Sequence, residues 1–282
     1  MSNRGAVGYY RHLRWGIRSR VAVYPSLYLS IARVKYGEAV IAPDTKFLID
    51  GFTRSGVTFA VVAFDVAQRR PVPLAHTLHA PAHVIAAVRR GVPSLVMVRE
   101  PEAAVLSAVI REPSVTIEQA LRSWIRFHTA IRPYREGFVV GLFDRVVEDY
   151  GSVIDEVNER FGTAFDRFDH TPENVALCFS IIEDRSRHPA WSDALGKFES
   201  GRIGLAEYAA TKDRYAGRGE AAKVPETKVP RPSAERDAMK RSLADRLAEP
   251  GLRSLRSEAR RVFEDYGGHV PSQDPGPRSE LS

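Results

Sequence analysis

An α/β fold, a parallel sheet flanked by helices, is predicted by two observations that alternate along the chain. The first is a set of short apolar runs bounded by turn residues or charge: Lys46 to Asp50 (KFLID), Ser94 to Val98 (SLVMV) and Phe138 to Phe143 (FVVGLF). Strands buried on both faces of a parallel sheet read this way. The second is helical periodicity between them. Thr116 to Ile131 puts Ile117, Leu121, Trp124, Ile125 and His128 on one stripe, with Thr116 and Gln119 spaced as a capping box. Gly151 to Phe161 repeats the pattern with Val153, Ile154, Val157 and Phe161. Strands that alternate with helices imply crossover connections and one sheet covered on both faces.

The last third changes character. From Gly217 to Pro232 the chain is rich in Gly, Pro and Lys and reads as a loop. A helix is expected after Ser233, with Met239, Leu243 and Leu247 on one face, ending at Pro250 and Gly251. A second helix carries Leu252, Leu255, Val262 and Phe263, and a loose tail follows Gly267. The expected organisation is an α/β domain over residues 1–216. A loop and helical C-terminal extension over 217–266 packs on it, and the tail spans 267–282.

Composition bounds the function. The single cysteine, Cys178, excludes an internal disulfide framework and a multi-cysteine zinc site, and is expected to fill core. The formal net charge is +6 over 282 residues, which suits an anionic ligand. Arg4, Arg11, Arg14, Arg18 and Arg20 precede any acid, and an apolar stretch from Val21 to Ala32 follows. Pro25 interrupts that stretch, which is too short to span a bilayer. It reads as a first helix lying over the core of a cytoplasmic protein, with peripheral membrane contact through the basic N-terminus as the lesser expectation. No zinc finger, RRM signature or aromatic–basic interleaving points to nucleic acid, and nearly equal numbers of acids dilute the positive charge.

The first strand runs into Gly51-Phe52-Thr53-Arg54-Ser55-Gly56-Val57-Thr58, and the apolar helix Phe59 to Phe64 follows. A strand, a glycine-bounded loop and a helix start make an anion cradle, because backbone N–H groups converge there and the helix dipole favours negative charge. The spacing is that of a Walker A loop with valine in place of lysine and Arg54 as the cation inside the loop. The strand Ser94 to Val98 ends in Arg99 rather than an acid, so the balance favours arginine over magnesium as the phosphate partner. Asp144 and Asp50 keep a magnesium-dependent phosphoryl transferase open as an alternative. After Val98 the chain reads Arg99-Glu100-Pro101, with Pro101 in the first turn of a helix and Ser107 about two turns along. Arg99 offers a fork of donors and Ser107 a hydroxyl, both suited to phosphate.

These two segments resemble the motifs of sulfotransferases. Thr53-Arg54-Ser55-Gly56-Val57-Thr58 is similar to the family's 5′-phosphosulfate loop, and Arg99-Glu100-Pro101 with Ser107 to its 3′-phosphate motif. They come in the family's order. Phe143-Asp144 resembles the aromatic–acid pair after a later strand, and Val157 to Gly162 a helix end of bacterial members. The resemblance covers roughly the first 165 residues. It implies a P-loop-like α/β fold, 3′-phosphoadenosine 5′-phosphosulfate as donor and no obligatory metal. It assigns the nucleotide to Arg54, Ser55, Gly56, Val57, Thr58, Phe59, Arg99 and Ser107. Val57 departs from the usual Thr or Ser, and no C-terminal Arg-Lys-Gly motif is evident. The stretch Lys228 to Ser233, with Arg231, is the expected replacement for that motif.

Sulfuryl transfer needs a group that takes the acceptor's proton, and a histidine suits that role near neutral pH. His79-Ala80-Pro81 resembles the family's His-x-Pro segment, which makes His79 the expected base and Arg54 its catalytic partner. His76 is the runner-up, and the carboxylates of Asp65 and Asp144 are further alternatives. No Cys or acid lies among His76, His79 and His83 to complete a metal site, so none is expected. The acceptor is a small molecule or carbohydrate, sulfated at a hydroxyl or an amine. Trp124, Phe127, His128, Tyr134 and Trp191 are candidates for an apolar pocket, and Asp184, Arg187 and His188 lie in a polar stretch read as lid or surface. A non-catalytic basic binding protein is the remaining alternative.

Overall fold

The computed structural model describes residues 15–187, 192–215 and 234–269. At its centre is a parallel sheet of β1 (Phe47–Gly51), β2 (Leu74–His76), β3 (Ser94–Val98) and β4 (Val139–Leu142), in the order β2-β1-β3-β4. The alternation of side chains along each strand serves two cores at once. Leu48, Val96, Val98 and Val140 point to one face, where α4 (Pro81–Arg89), α5 (Pro101–Arg111) and α6 (Ile117–Ile131) cover them. Phe47, Ile49, Leu95, Met97 and Val139 point to the other, under α3 (Val57–Ala67), α8 (Tyr150–Phe161) and α9 (Pro172–Arg187). A sheet buried on both faces explains why β1 carries no polar residue until Asp50.

Three departures from the sequence reading bear on the site. β2 was not foreseen: three residues between prolines and histidines give no periodic signal. The run from Phe138 to Phe143 is strand only as far as Leu142, because Phe143 opens the short helix α7 (Phe143–Glu148). The apolar stretch from Val21 to Ala32 is divided between two helices, α1 (residues 15–21) and α2 (Pro25–Tyr36). Pro25 starts α2 instead of breaking a helix, since a first-turn residue has no intrahelical use for its N–H. Tyr28 and Ala32 of α2 pack on Leu78, Ala80 and Ala82, while Tyr24, Leu27, Ile31 and Val34 face outward. No helix among the described residues is long and apolar enough to cross a membrane.

The capping box of α6 is present, with Thr116 Oγ1 accepting from the Gln119 N–H at 3.1 Å. Its apolar stripe is entirely core, which removes two expected pocket residues. Trp124 and His128 are fully buried, and their rings meet at a tilt of 32° with centroids 3.8 Å apart. Burial pushes the His128 imidazole down to about 3. Tyr134 lies beyond the end of α6 and accepts from Arg89. Asp184 is not surface: it is buried on α9, where it accepts from the Tyr208 hydroxyl and Lys212 of α11 (Leu205–Tyr215), each at 2.8 Å. Cys178 is buried, as core filler should be.

Past the loop, α12 (Ala234–Leu247) packs on α5, and α13 (Arg253–Glu264) on α5 and α6. Met239 is exposed, so the buried face of α12 is Leu243 and Leu247 alone. Val262 and Phe263 of α13 are buried as expected. Glu102 accepts from Arg256 at 2.9 Å and Arg260 at 2.8 Å, and the Tyr266 hydroxyl donates to the His128 carbonyl at 2.6 Å. The segment from Gly217 to Pro232, most of the expected tail, Trp191 and His188 lie outside the described residues. Phe263 also meets the Trp124 ring at 6.5 Å, so α13 completes the core under one face of the sheet. Phe263→Ala is expected to cost about 3–5 kcal/mol of unfolding free energy. Chemical denaturation measures it, and a loss under about 1 kcal/mol, the range of ordinary surface changes, would make α13 an appendage.

Candidate functional site

The strand order makes the site. β1 leads outward to β2 on one side, while β3 lies on its other side, so the carboxyl ends of β1 and β3 flank a topological switch point. Gly51 pairs with Met97 in register, which sets the loop after β1 beside the turn after β3. A Cβ at Gly51 would stand 2.3 Å from the Met97 carbonyl oxygen, so this close approach requires glycine.

The loop Phe52–Gly56 turns tightly. Ser55 N–H donates to the Phe52 carbonyl at 3.2 Å, and Arg54 and Gly56 are left-handed, with φ of 69° and 88°. For Gly56 that φ costs little; for Arg54 it is a strained backbone held by its surroundings. No side chain caps α3, so the N–H groups at its start remain directed at the loop. Ser55 is fully buried within this loop, and its Oγ has no hydrogen-bond partner among the described residues. A buried hydroxyl without a partner is costly and points to a ligand atom. Val57 and Phe59 put their side chains into the core, which leaves only their backbone N–H groups for a ligand; Thr58 is half-buried.

The second motif meets the first. Arg54 Nε donates to Ser107 Oγ at 3.0 Å, and Arg99 donates to the Arg54 carbonyl at 3.1 Å. The Arg99 guanidinium also lies 3.9 Å over the Phe143 ring, whose edge closes on Gly56. The start of α5 is occupied from within: Glu100 accepts from the N–H groups of Glu102 and Ala103. An anion at this end of the sheet is therefore offered α3, not α5.

His79 and its support come from the segment between β2 and α4. Asp50, at the end of β1, is completely buried. Its Oδ1 accepts from the N–H of Gly51 at 2.8 Å and of His79 at 3.0 Å; its Oδ2 accepts from His83 Nδ1 at 2.7 Å. His83 Nε2 in turn accepts from the Ile41 N–H, which fixes the tautomer with the proton on Nδ1. Burial pushes the Asp50 carboxyl up, but His83, His79 and the Gly51 N–H together hold it below the usual carboxylate value. His79 Nδ1 donates to the Gly51 carbonyl at 2.9 Å, so the lone pair is on Nε2. Burial lowers its pKa, and the Asp50 charge only partly offsets this. Thr77 and His79 are both left-handed, with φ of 55° and 51°.

The ring of His79 lines an apolar pocket with Trp15, Ala22, Phe52 and Phe127, edged by Arg18 and Thr53. Of the expected aromatic residues that are described, Phe127 lines it. The sequence reading missed Trp15, Arg18, Ser19 and Ala22, whose i, i+3, i+4, i+7 spacing is a helical face that was legible. Arg18 donates to the Leu78 carbonyl at 2.9 Å, clasping the turn that carries His79. The other candidate bases lie in different surroundings. His76 is buried on β2 with Nδ1 on Thr77 Oγ1 at 2.8 Å and Nε2 on Ser200 Oγ at 3.4 Å. Asp65 is buried on α3, where desolvation and the charge of Glu199 raise its pKa. Asp144 is exposed at the start of α7. Asp50, the inner candidate for magnesium, has both oxygens engaged by the protein. Arg231 and the stretch from Lys228 to Ser233 lie outside the described residues.

Asp50→Asn tests this support. An amide replaces one acceptor with a donor, so its NH2 faces either the His83 Nδ1–H or the N–H groups of Gly51 and His79, and one side is left unmet. The variant should lose about 1–3 kcal/mol at neutral pH, the cost of an unsatisfied buried group. Asp50 has a depressed pKa in the folded state, so its contribution is present above the unfolded carboxylate value and lost as pH falls through the folded one. The stability gap between wild type and variant should thus close in acid; a gap independent of pH would refute the carboxylate's role.

No protein-family model matches the chain, and no curated protein matches it at a significant level.

Proposed function

We propose that this chain transfers a sulfuryl group from 3′-phosphoadenosine 5′-phosphosulfate to a hydroxyl or amine of an acceptor, by direct in-line displacement. The observation that carries the reading is the contact of Arg54 with Ser107 and of Arg99 with the Arg54 carbonyl. It joins two phosphate-suited motifs at a switch point, beside a histidine that presents a lone pair to an apolar pocket. The partnerless Ser55 hydroxyl and the uncapped start of α3 supply donors for one phosphate end of the nucleotide. Arg99 and Ser107 supply them for the other. The P-loop-like description of the fold belongs to the same reading, with β1, the loop and α3 as its unit.

The chemistry follows from these roles. The acceptor enters the pocket lined by Phe52 and Phe127 with its O–H or N–H toward His79 Nε2. As its heavy atom bonds to sulfur, His79 takes the proton. The bond from sulfur to the bridging oxygen breaks, and Arg54 with the N–H groups of α3 neutralises the charge left on the 5′-phosphate. Cys178 is buried with its thiol pushed up to about 12 by desolvation, and takes no part. The outward stripe of Tyr24, Leu27, Ile31 and Val34 on α2 supports peripheral membrane contact as part of the same proposal.

The direct test is a thermal-shift comparison of 3′-phosphoadenosine 5′-phosphate with ATP in the absence of metal. Stabilisation by the first and not the second is expected; the reverse, or stabilisation that requires magnesium, would point to phosphoryl transfer. Arg99→Ala should weaken the doubly phosphorylated nucleotide by about 1.5–3 kcal/mol, the worth of a charged hydrogen bond. Adenosine 5′-phosphate should be almost unaffected, and equal losses in calorimetry would reject the assignment. His79→Ala should lower turnover roughly a hundredfold or more while nucleotide affinity survives. With the wild type, kcat/KM should rise with pH through a pKa below the usual imidazole value, since only the neutral ring accepts. An acid limb that persists in the variant would place the base elsewhere.

A further inference from the structure

Beside the His79 pocket lies a second cleft, of about 200 Å³, lined by Arg20, Arg122 and Arg126 together with Ser19 and Ser123. Ser19 and Ser123 line both spaces, so the two are neighbours separated by a pair of hydroxyls. The cations come from two elements: Arg20 from α1, and Arg122 and Arg126 from successive turns of α6. Arg122 pairs with Glu118 on its own helix at 2.9 Å, and Arg126 donates to Ser19 Oγ at 2.7 Å. No acid among the described residues pairs with Arg20 or Arg126. On the far side of Arg122 and Arg126 the groove continues to Leu255 and Glu258 of α13.

Crowded guanidinium groups repel one another. Burial first, then the charges of Arg20 and Arg122, lower the pKa of Arg126. A cluster of this kind gains when an anion enters it, and a guanidinium fork matches the paired oxygens of a phosphate. None of these residues belongs to the nucleotide motifs, which lie at the switch point with Arg54 and Arg99.

We infer that the cleft of Arg20, Arg122 and Arg126 binds a phosphate group carried by the acceptor, whose hydroxyl or amine then reaches His79 past Ser19 and Ser123. The acceptor class is a phosphorylated molecule with an apolar portion between its phosphate and its reacting group. That class rests on the sulfuryl-transfer reading; the anion site itself does not.

Calorimetric titration of the whole chain with inorganic pyrophosphate tests the site. It is run with 3′-phosphoadenosine 5′-phosphate present in excess, so that a nucleotide site, if the reading is right, is already filled. Wild type should bind pyrophosphate, and Arg20→Ala/Arg122→Ala should weaken that binding at least tenfold. Both residues are exposed, and neither holds another element in place. Arg54→Ala/Arg99→Ala should leave the cleft's affinity within about twofold. Arg126→Gln provides a second variant whose loss should match, and circular dichroism checks that the contact with Ser19 is not needed for folding. If Arg20→Ala/Arg122→Ala binds pyrophosphate as wild type does, or if all binding disappears in Arg54→Ala/Arg99→Ala, the inference is overturned. Should the nucleotide fail to bind while the cleft variants still lose pyrophosphate, the donor reading fails and the anion site stands.

Discussion

A carboxylate without access to water has to be satisfied from within, and at the end of β1 Asp50 is satisfied by the groups that shape the site. Its acceptors are divided between the Gly51 N–H, where the phosphate loop leaves the strand, the His79 N–H and the His83 ring. One side chain thus fixes where two loops begin and how they face. The left-handed φ of His79 becomes tolerable because the same residue is held at its N–H by Asp50 and at its ring by the Gly51 carbonyl. His83 is the counterweight: its own orientation is set by the Ile41 N–H, so it cannot turn away from Asp50 without leaving a buried donor unmet.

The sheet order supplies what no local interaction can. Arg54 and Arg99 lie 45 residues apart in sequence and touch because β1 and β3 are neighbours. Had β2 taken the place between them, each loop would end beside a different partner. The contact also explains the strained Arg54 backbone. Its carbonyl is turned toward Arg99, in the turn after β3, while its side chain reaches Ser107 on α5, so the two ends of the residue serve one neighbouring turn and helix. Phe143 seals this corner by stacking under Arg99 and leaving no room at Gly56 for a side chain.

How much of this was legible depended on whether the signal was periodic or paired. The long stripes of α6 and α8 and the apolar strands β1 and β3 were legible, because burial on both faces selects for uninterrupted apolar residues. The tight loop between β1 and α3 was legible from its glycines and its place between strand and helix. β2 was not, since three residues are too few for a period. Trp124 and His128 stayed open between core and pocket because aromatic residues at helical spacing look the same in both, and the packing of α13 settles them as core. His76, His79 and His83 lie within eight residues, and the sequence set His79 apart only by the His-Ala-Pro segment it opens. The structure distinguishes them by partner: His83 on Asp50, His76 on Thr77 and Ser200, His79 on the Gly51 carbonyl at the edge of the pocket.

The two halves of the site rest on supports of different kinds. Arg54, Ser55, Arg99 and His79 are held by the sheet and by a buried carboxylate, so their geometry is as firm as the core. The pocket wall is α1, attached by the packing of Trp15 and Ala22 and by polar contacts: Trp15 Nε1 to Ser123 Oγ at 3.0 Å, Arg18 to the Leu78 carbonyl at 2.9 Å and Arg126 to Ser19 Oγ at 2.7 Å. Each contact meets a residue of the pocket, of the second cleft or of the His79 turn. A wall held this way can be altered without disturbing the strands, whereas a change at Asp50 reaches the phosphate loop and His79 together. The pocket wall is therefore separable in this fold from the switch point, and Ser19 and Ser123 are the hydroxyls shared by the two clefts.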